Sequence, residues 1–116
     1  MTRTMLKSKI HRARVTEANL EYEGSISIDE ELLRAADILP YESVEVWDCT
    51  NGARLRTYAI PAEAGSGEVC VNGAAAHLVK PHDVVIVASW IQVDEGEARD
   101  WHARRVFVDA NNRIRE

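Results

Sequence analysis

The sequence predicts a mainly β fold, a small β-barrel with short helices on its crossovers. Apolar residues recur mostly with period two, two Asn-Gly pairs punctuate strand-like runs, and helical patterns are few and short. Residues 3–16 alternate loosely and form the first expected strand, and Ile26-Ser27-Ile28 is a second strand-like run. Asp29 caps a helix beginning Glu30-Glu31-Leu32-Leu33, its carboxylate accepting the free N–H groups of the first turn. Ile28, Leu32, Leu33 and Ala36 share one face of that helix, and Pro40 stops its continuation. Val44 to Cys49 alternates cleanly, as a half-buried strand does. Asn51-Gly52 follows, then the run Arg54 to Ile60, which reads as a hairpin because Asn and Gly both accept positive φ. Asn72-Gly73 closes the strand Glu68 to Val71, and Gly73 to His77 opens a third short helix with unpaired N–H groups at its start. Asp83 to Val93 is too apolar for a surface strand and is expected to cross the core. Asp94 to Trp101 reads as a turn or two of helix, and Arg105 to Asp109 as the last strand, ended by Ala110-Asn111-Asn112.

Length and composition narrow the function classes. A chain of 116 residues suits one domain. A 46% hydrophobic content is too high for a disordered chain. No apolar run reaches the roughly 18 residues that a membrane span requires. The N-terminus MTRTMLKSKIHRAR has no continuous hydrophobic segment and is not read as a signal peptide, so the expected location is the cytoplasm. Cys49 and Cys70 sit in strand-like runs outside any CxxC, so they are expected to be small buried hydrophobes rather than a disulfide or a zinc site. Residues 1–14 carry five basic side chains and no acid, whereas residues 15–48 carry ten acids and one Arg. A basic arm is one form of nucleic-acid footprint. The interleaved Met5, Ile10, Ala13 and Val15 favour instead a strand whose cations meet the acids that follow, and no nucleic-acid partner is expected.

The usual catalytic signatures are missing: there is no GxGxxG, P-loop, GxSxG or HExxH, and His11, His77, His82 and His102 have no metal-ligand spacing. On these grounds alone the chain reads as a non-catalytic barrel that binds small anions or a protein partner. The segment Tyr22-Glu23-Gly24-Ser25 changes that reading. Taken by itself it is a turn. KIHRARVT, YEGS, TNGARLRTYAI and NGAAAH, however, stand in one order over one domain, with ILPYE, the D-V-V-I run and EARDW in register. In these segments, from about Arg3 to Trp101, the sequence resembles the bacterial aspartate 1-decarboxylases, pyruvoyl enzymes that make β-alanine for pantothenate.

The resemblance implies a double-psi β-barrel assembled as a homotetramer, with active sites between subunits. It implies self-cleavage between Gly24 and Ser25 into chains 1–24 and 25–116. Ser25 Oγ attacks the Gly24 carbonyl, the acyl group shifts from N to O, and β-elimination followed by hydrolysis leaves a pyruvoyl group derived from Ser25. Glycine at position 24 removes bulk from the attack and permits strained dihedrals. Thr57 is the implied oxyanion donor, with Asn72 close by. In turnover the implied cofactor is that covalent pyruvoyl group alone, with no metal and no pyridoxal phosphate. Its ketone takes the amine of L-aspartate as a Schiff base and accepts the electrons left as CO2 departs. Tyr58 matches the family's proton donor; unaided, it reads as a half-buried strand aromatic. Arg54 fits a carboxylate clamp through its planar fork. Lys9 and His11 match positions supplied by a neighbouring subunit, and strand alternation puts them on one face. Gly73, Ala74 and Ala75 line the pocket without bulk, and Tyr22, Trp47 and Ile86 match further lining positions. The weakly matching final dozen residues bear on the tail rather than the site.

Overall fold

The computed structural model describes residues 1–115. In chain order it contains β1 (Thr2–Arg14), β2 (Glu17–Asn19), β3 (Ser25–Asp29), α1 (Glu30–Ala36), β4 (Ser43–Asp48), β5 (Arg54–Ala62) and β6 (Val69–Asn72). A 3-10 turn (Gly73–His77), β7 (Val84–Asp94), the single turn α2 (Glu95–Ala98) and β8 (Arg104–Phe107) complete it. The strands are hydrogen-bonded in the order β2-β6-β3-β5-β4-β7-β1-β8. β1–β8, β2–β6 and β3–β5 are parallel pairs, which only crossovers can connect. This mainly β, mixed-sheet architecture is the expected one and is consistent with a double-psi barrel.

The alternation that predicts the strands also builds the core. Ile10, Ile26, Ile28, Val44, Val46, Val69, Val71, Val85 and Val87 are fully buried, and Leu32 and Leu33 of α1 close over them. β-Branched side chains dominate because they pack well on a pleated surface, and burying each contributes about 1.5–3 kcal/mol. β1 departs from strict alternation between Ile10 and Ala13, where a register shift accompanies Arg12 at φ 62°.

Buried carboxylates fix the loops. Asp29 caps α1 as expected, its Oδ1 accepting the Glu31 N–H at 2.9 Å. The same side chain also accepts the N–H groups of Gly65 and Gly67, pinning the loop before β6. Burial by itself would raise its pKa, but these three N–H donors, with the charge of Arg113, hold it below the ordinary value. Lys7 meets Glu42 at 2.6 Å, as expected for cations of the first strand facing the acidic segment, whereas Arg3 reaches Glu95 instead.

Asp94 to Trp101 contains one helical turn, Glu95–Ala98, and β4 and β5 form an antiparallel hairpin about Asn51-Gly52, both as expected. Two local expectations are corrected. Cys49 is exposed while Cys70 is buried. In the hairpin only Gly52 has positive φ, and residues 49–53 form a loop organised by Asp48, whose Oδ1 accepts the N–H groups of Thr50 and Asn51. Side-chain capping makes local hydrogen bonds that an Asn-Gly pair does not announce.

Asp48 is only 2% exposed, and its Oδ2 has no donor partner. Burial, and then the Asp83 carboxyl hydrogen-bonded to it, push its pKa up to about 6; Lys80 is the cation beside Asp83. A raised carboxyl pKa stabilises the fold below the unfolded value, and that contribution is lost as pH rises through about 6. Asp48→Asn keeps the Oδ1 acceptor and supplies a donor toward Asp83. Its thermal unfolding at pH 8 is therefore expected to show a gain of roughly 1–2 kcal/mol over the parent, shrinking as pH falls below about 6 and vanishing only below about pH 4, where the unfolded carboxyl is protonated too.

Candidate active site

Ser25 begins β3 and is 1% exposed, at the point where the exposed segment Leu20–Gly24 enters the barrel. Its Cα partner across the antiparallel β3–β6 pair is Asn72, itself 3% exposed. Asn72 Nδ2 donates to Ser25 Oγ at 3.0 Å and to Ser27 Oγ at 3.1 Å, and its Oδ1 accepts from Cys70 Sγ at 3.2 Å. Ser25 Oγ in turn donates to the Glu23 carbonyl at 3.2 Å, which turns the hydroxyl back along the chain that precedes it. A hydroxyl has one donor and two lone pairs. With the proton on Glu23 and one lone pair facing Asn72, one lone pair of a buried nucleophile stays free.

Gly73 follows Asn72 at φ 70°, and a Cβ built on it would lie 2.7 Å from Gly24 Cα and 2.8 Å from Gly24 N. No real side chain tolerates that contact, so only glycine lets the two backbones approach. Gly24 lies outside the left-handed region, and a Cβ on it would meet nothing within 4 Å. The glycine that the fold requires here is Gly73.

Gly24, Thr57, Asn72, Ala74 and Ala75 line one cleft of about 310 Å³ together with Leu55, Arg56 and Leu78. This brings the proposed self-cleavage residues together with part of the proposed substrate set. The remaining residues lie elsewhere in the single chain. Arg54 stacks its guanidinium 4.9 Å from the centroid of the Trp47 ring, and Trp47 is paired with Ile86 across β4–β7. Tyr58, half-buried, packs against Tyr41 with ring centroids 6.1 Å apart. Tyr22 is 54% exposed. Lys9 and His11 lie on β1, and His11 packs edge-on against Phe107 of β8. β5, β4 and β7 separate β1 from β3 in the sheet order. Burial, and then the charges of Lys9, Arg12 and Arg115, lower the pKa of His11, so its imidazole is neutral at pH 7 and acts as a hydrogen-bonding group. Its Nδ1 has no hydrogen-bond partner among the described residues.

Ser27, Arg56 and Leu78 were not anticipated. Ser27 is legible from alternation, since positions 25 and 27 share a strand face; Leu78 reaches the cleft only because the 3-10 turn carries it there. Among the described residues no group of three or more His, Cys, Asp and Glu could hold a metal ion.

Residues 1–115 match the family model described as aspartate decarboxylase. An aspartate 1-decarboxylase of Myxococcus xanthus (strain DK1622) is 58% identical over 114 residues, covering 98% of this chain and 88% of that protein. One from Syntrophus aciditrophicus (strain SB) is 57% identical over 115 residues and covers 99% of both. One from Legionella pneumophila (strain Lens) is 60% identical over 114 residues, covering 98% and 86%.

The two glycines separate cleanly by substitution. Gly73→Ala is expected to lose about 1–3 kcal/mol, because the methyl group collides with backbone and φ is unfavourable. Gly24→Ala is expected to stay within about 0.5 kcal/mol of the parent in urea unfolding.

Proposed function

The chain belongs to the aspartate decarboxylase family, and on that premise we propose that it makes its own pyruvoyl group by cleaving the Gly24–Ser25 bond and then converts L-aspartate to β-alanine and CO2. The observation that carries this reading is the Ser25 hydroxyl, buried, oriented by Asn72 and left with a free lone pair beside the Gly24 peptide.

In self-cleavage Ser25 Oγ is the nucleophile toward the Gly24 carbonyl. Asn72 orients it, with both Nδ2 hydrogens already given to Ser25 and Ser27. That occupancy leaves Thr57, which lines the same cleft, as the donor for the developing oxyanion. Cleavage gives chains 1–24 and 25–116. The residues present fit a pyruvoyl group at position 25: the serine stands at the start of a buried strand, Ala74 and Ala75 line the adjoining cleft with small side chains, and Gly73 approaches Gly24 without one. When formed, that group supplies the electron sink for loss of the α-carboxylate.

The other residues bind and protonate. Arg54 holds a substrate carboxylate through its planar guanidinium, against which Trp47 is already stacked. Tyr58 holds the proton destined for Cα on its phenol oxygen. Three strands separate Lys9 and His11 on β1 from Ser25 on β3 within one chain, which supports their arriving from a second copy. Tyr22, Trp47 and Ile86 complete the pocket wall. We accordingly read the working form as a homotetramer with shared sites, acting in the cytoplasm in coenzyme A biosynthesis, without metal, pyridoxal phosphate, nucleic acid or membrane. Among the described residues no helix is long and apolar enough to cross a membrane.

Denaturing mass spectrometry of the purified protein tests the first half. Two species are expected, residues 1–24 and a 25–116 chain lighter than its serine form by ammonia. Ser25→Ala is expected to remain one full-length chain without CO2 release from L-aspartate; a cleaved Ser25→Ala protein would refute the scheme. Tyr58→Phe is expected to cleave normally and lose turnover by roughly 100- to 10,000-fold.

A further inference from the structure

Tyr41 is held in a conformation that its own chemistry disfavours. Glu42 N–H bonds to the Leu39 carbonyl at 3.1 Å, closing a turn with Pro40 second and Tyr41 third at φ 71°. That third position ordinarily takes Gly or Asn, and a bulky side chain there is strained. The surrounding bonds leave it no escape. Tyr41 N–H donates to the Ala59 carbonyl at 2.7 Å, and Ala59 N–H donates to the Glu42 carbonyl at 3.0 Å. The Glu42 carboxylate accepts Lys7 Nζ at 2.6 Å, the Leu39 N–H at 3.0 Å and the buried Ser89 hydroxyl. Strain of this kind persists only where neighbours over-determine the backbone.

Core packing does not account for this tyrosine, because its side chain is 77% exposed. The ring instead lies against Tyr58, with centroids 6.1 Å apart and planes inclined by 37°. The bonds to Ala59 flank Tyr58 directly, so the strained turn is fastened to the strand segment that carries the phenol.

We propose that Tyr41 is a positioning residue for Tyr58, its ring packing against the Tyr58 phenol and fixing the orientation from which the proton is delivered. The inference rests on the reading of Tyr58 as proton donor. It requires an aromatic ring at position 41 and no hydroxyl there, so phenylalanine should serve equally well.

The test compares self-processed parent, Tyr41→Gly, Tyr41→Phe, Tyr58→Phe and the Tyr41→Gly/Tyr58→Phe double variant, with kcat and KM for L-aspartate measured on each. Tyr41→Gly is expected to process fully and to melt no lower than the parent, because glycine suits the turn. Its kcat should fall about two- to tenfold, the worth of one aromatic pair, with KM unchanged. Tyr41→Phe should retain the parent kcat. In the Tyr58→Phe background Tyr41→Gly should cost nothing further, because the partner it orients is already disabled. A Tyr41→Gly enzyme with parental kcat, or one with the same loss in both backgrounds, overturns the inference. Parental turnover in Tyr58→Phe alone would instead remove the reading of Tyr58 on which it rests.

Discussion

Asn72 gives both hydrogens of its amide to hydroxyls on the neighbouring strand, and the geometry around the Gly24–Ser25 peptide follows from that pairing. The antiparallel register sets Asn72 opposite Ser25, and burial removes water as a competing partner. With no water to share, the serine hydroxyl has few orientations available, and its proton goes to the Glu23 carbonyl. The next residue, Gly73, then permits the close backbone approach that holds Gly24 beside the site. Two consecutive residues at the end of one strand thus fix the nucleophile and the peptide it faces.

The barrel separates the residues around Gly24 and Ser25 from the groups proposed to bind a dicarboxylate substrate. Thr57 and Ala74 share the cleft with Gly24, while Arg54, Tyr58 and the Lys9–His11 pair occupy other surfaces of the chain. A strand sends successive side chains to opposite faces, so adjacent Thr57 and Tyr58 cannot serve one cleft of one barrel in the same way. On the proposed reading, assembly of copies resolves the separation: a surface idle in one chain becomes a wall of the site in its neighbour. The neutral His11, surrounded by Lys9, Arg12 and Arg115, fits such a borrowed wall, since the positive field comes from its neighbours and not from the imidazole.

Carboxylates recur as anchors for the loops around this framework. Asp29 ties the start of α1 to the loop before β6, Asp48 organises the turn leading to Arg54, and Glu42 gathers Lys7, Ser89 and the Leu39 N–H beneath Tyr41. Each is partly or fully buried and converts a costly desolvation into fixed backbone geometry. Two of these loops end next to Arg54 or Tyr58, so their order bears on the binding and protonation proposed for those residues.

The sequence by itself determined the class of fold, because period-two burial of Ile and Val is a local property that each segment displays unaided. It determined the α1 cap through Asp29, and the resemblance carried by YEGS, TNGARLRTYAI and NGAAAH named the residues worth examining. It did not disclose β2, the five-residue Asp48 loop or the exposure of Cys49, which depend on partners distant in the chain. Nor did it disclose that the close backbone approach beside Gly24 is made through Gly73. Only the tertiary structure decided which hydroxyl Asn72 orients, which residues share the Gly24 cleft and why a tyrosine sits strained beside Tyr58. Those are outcomes of strand register and loop anchoring, and register is set by the whole sheet rather than by any one segment.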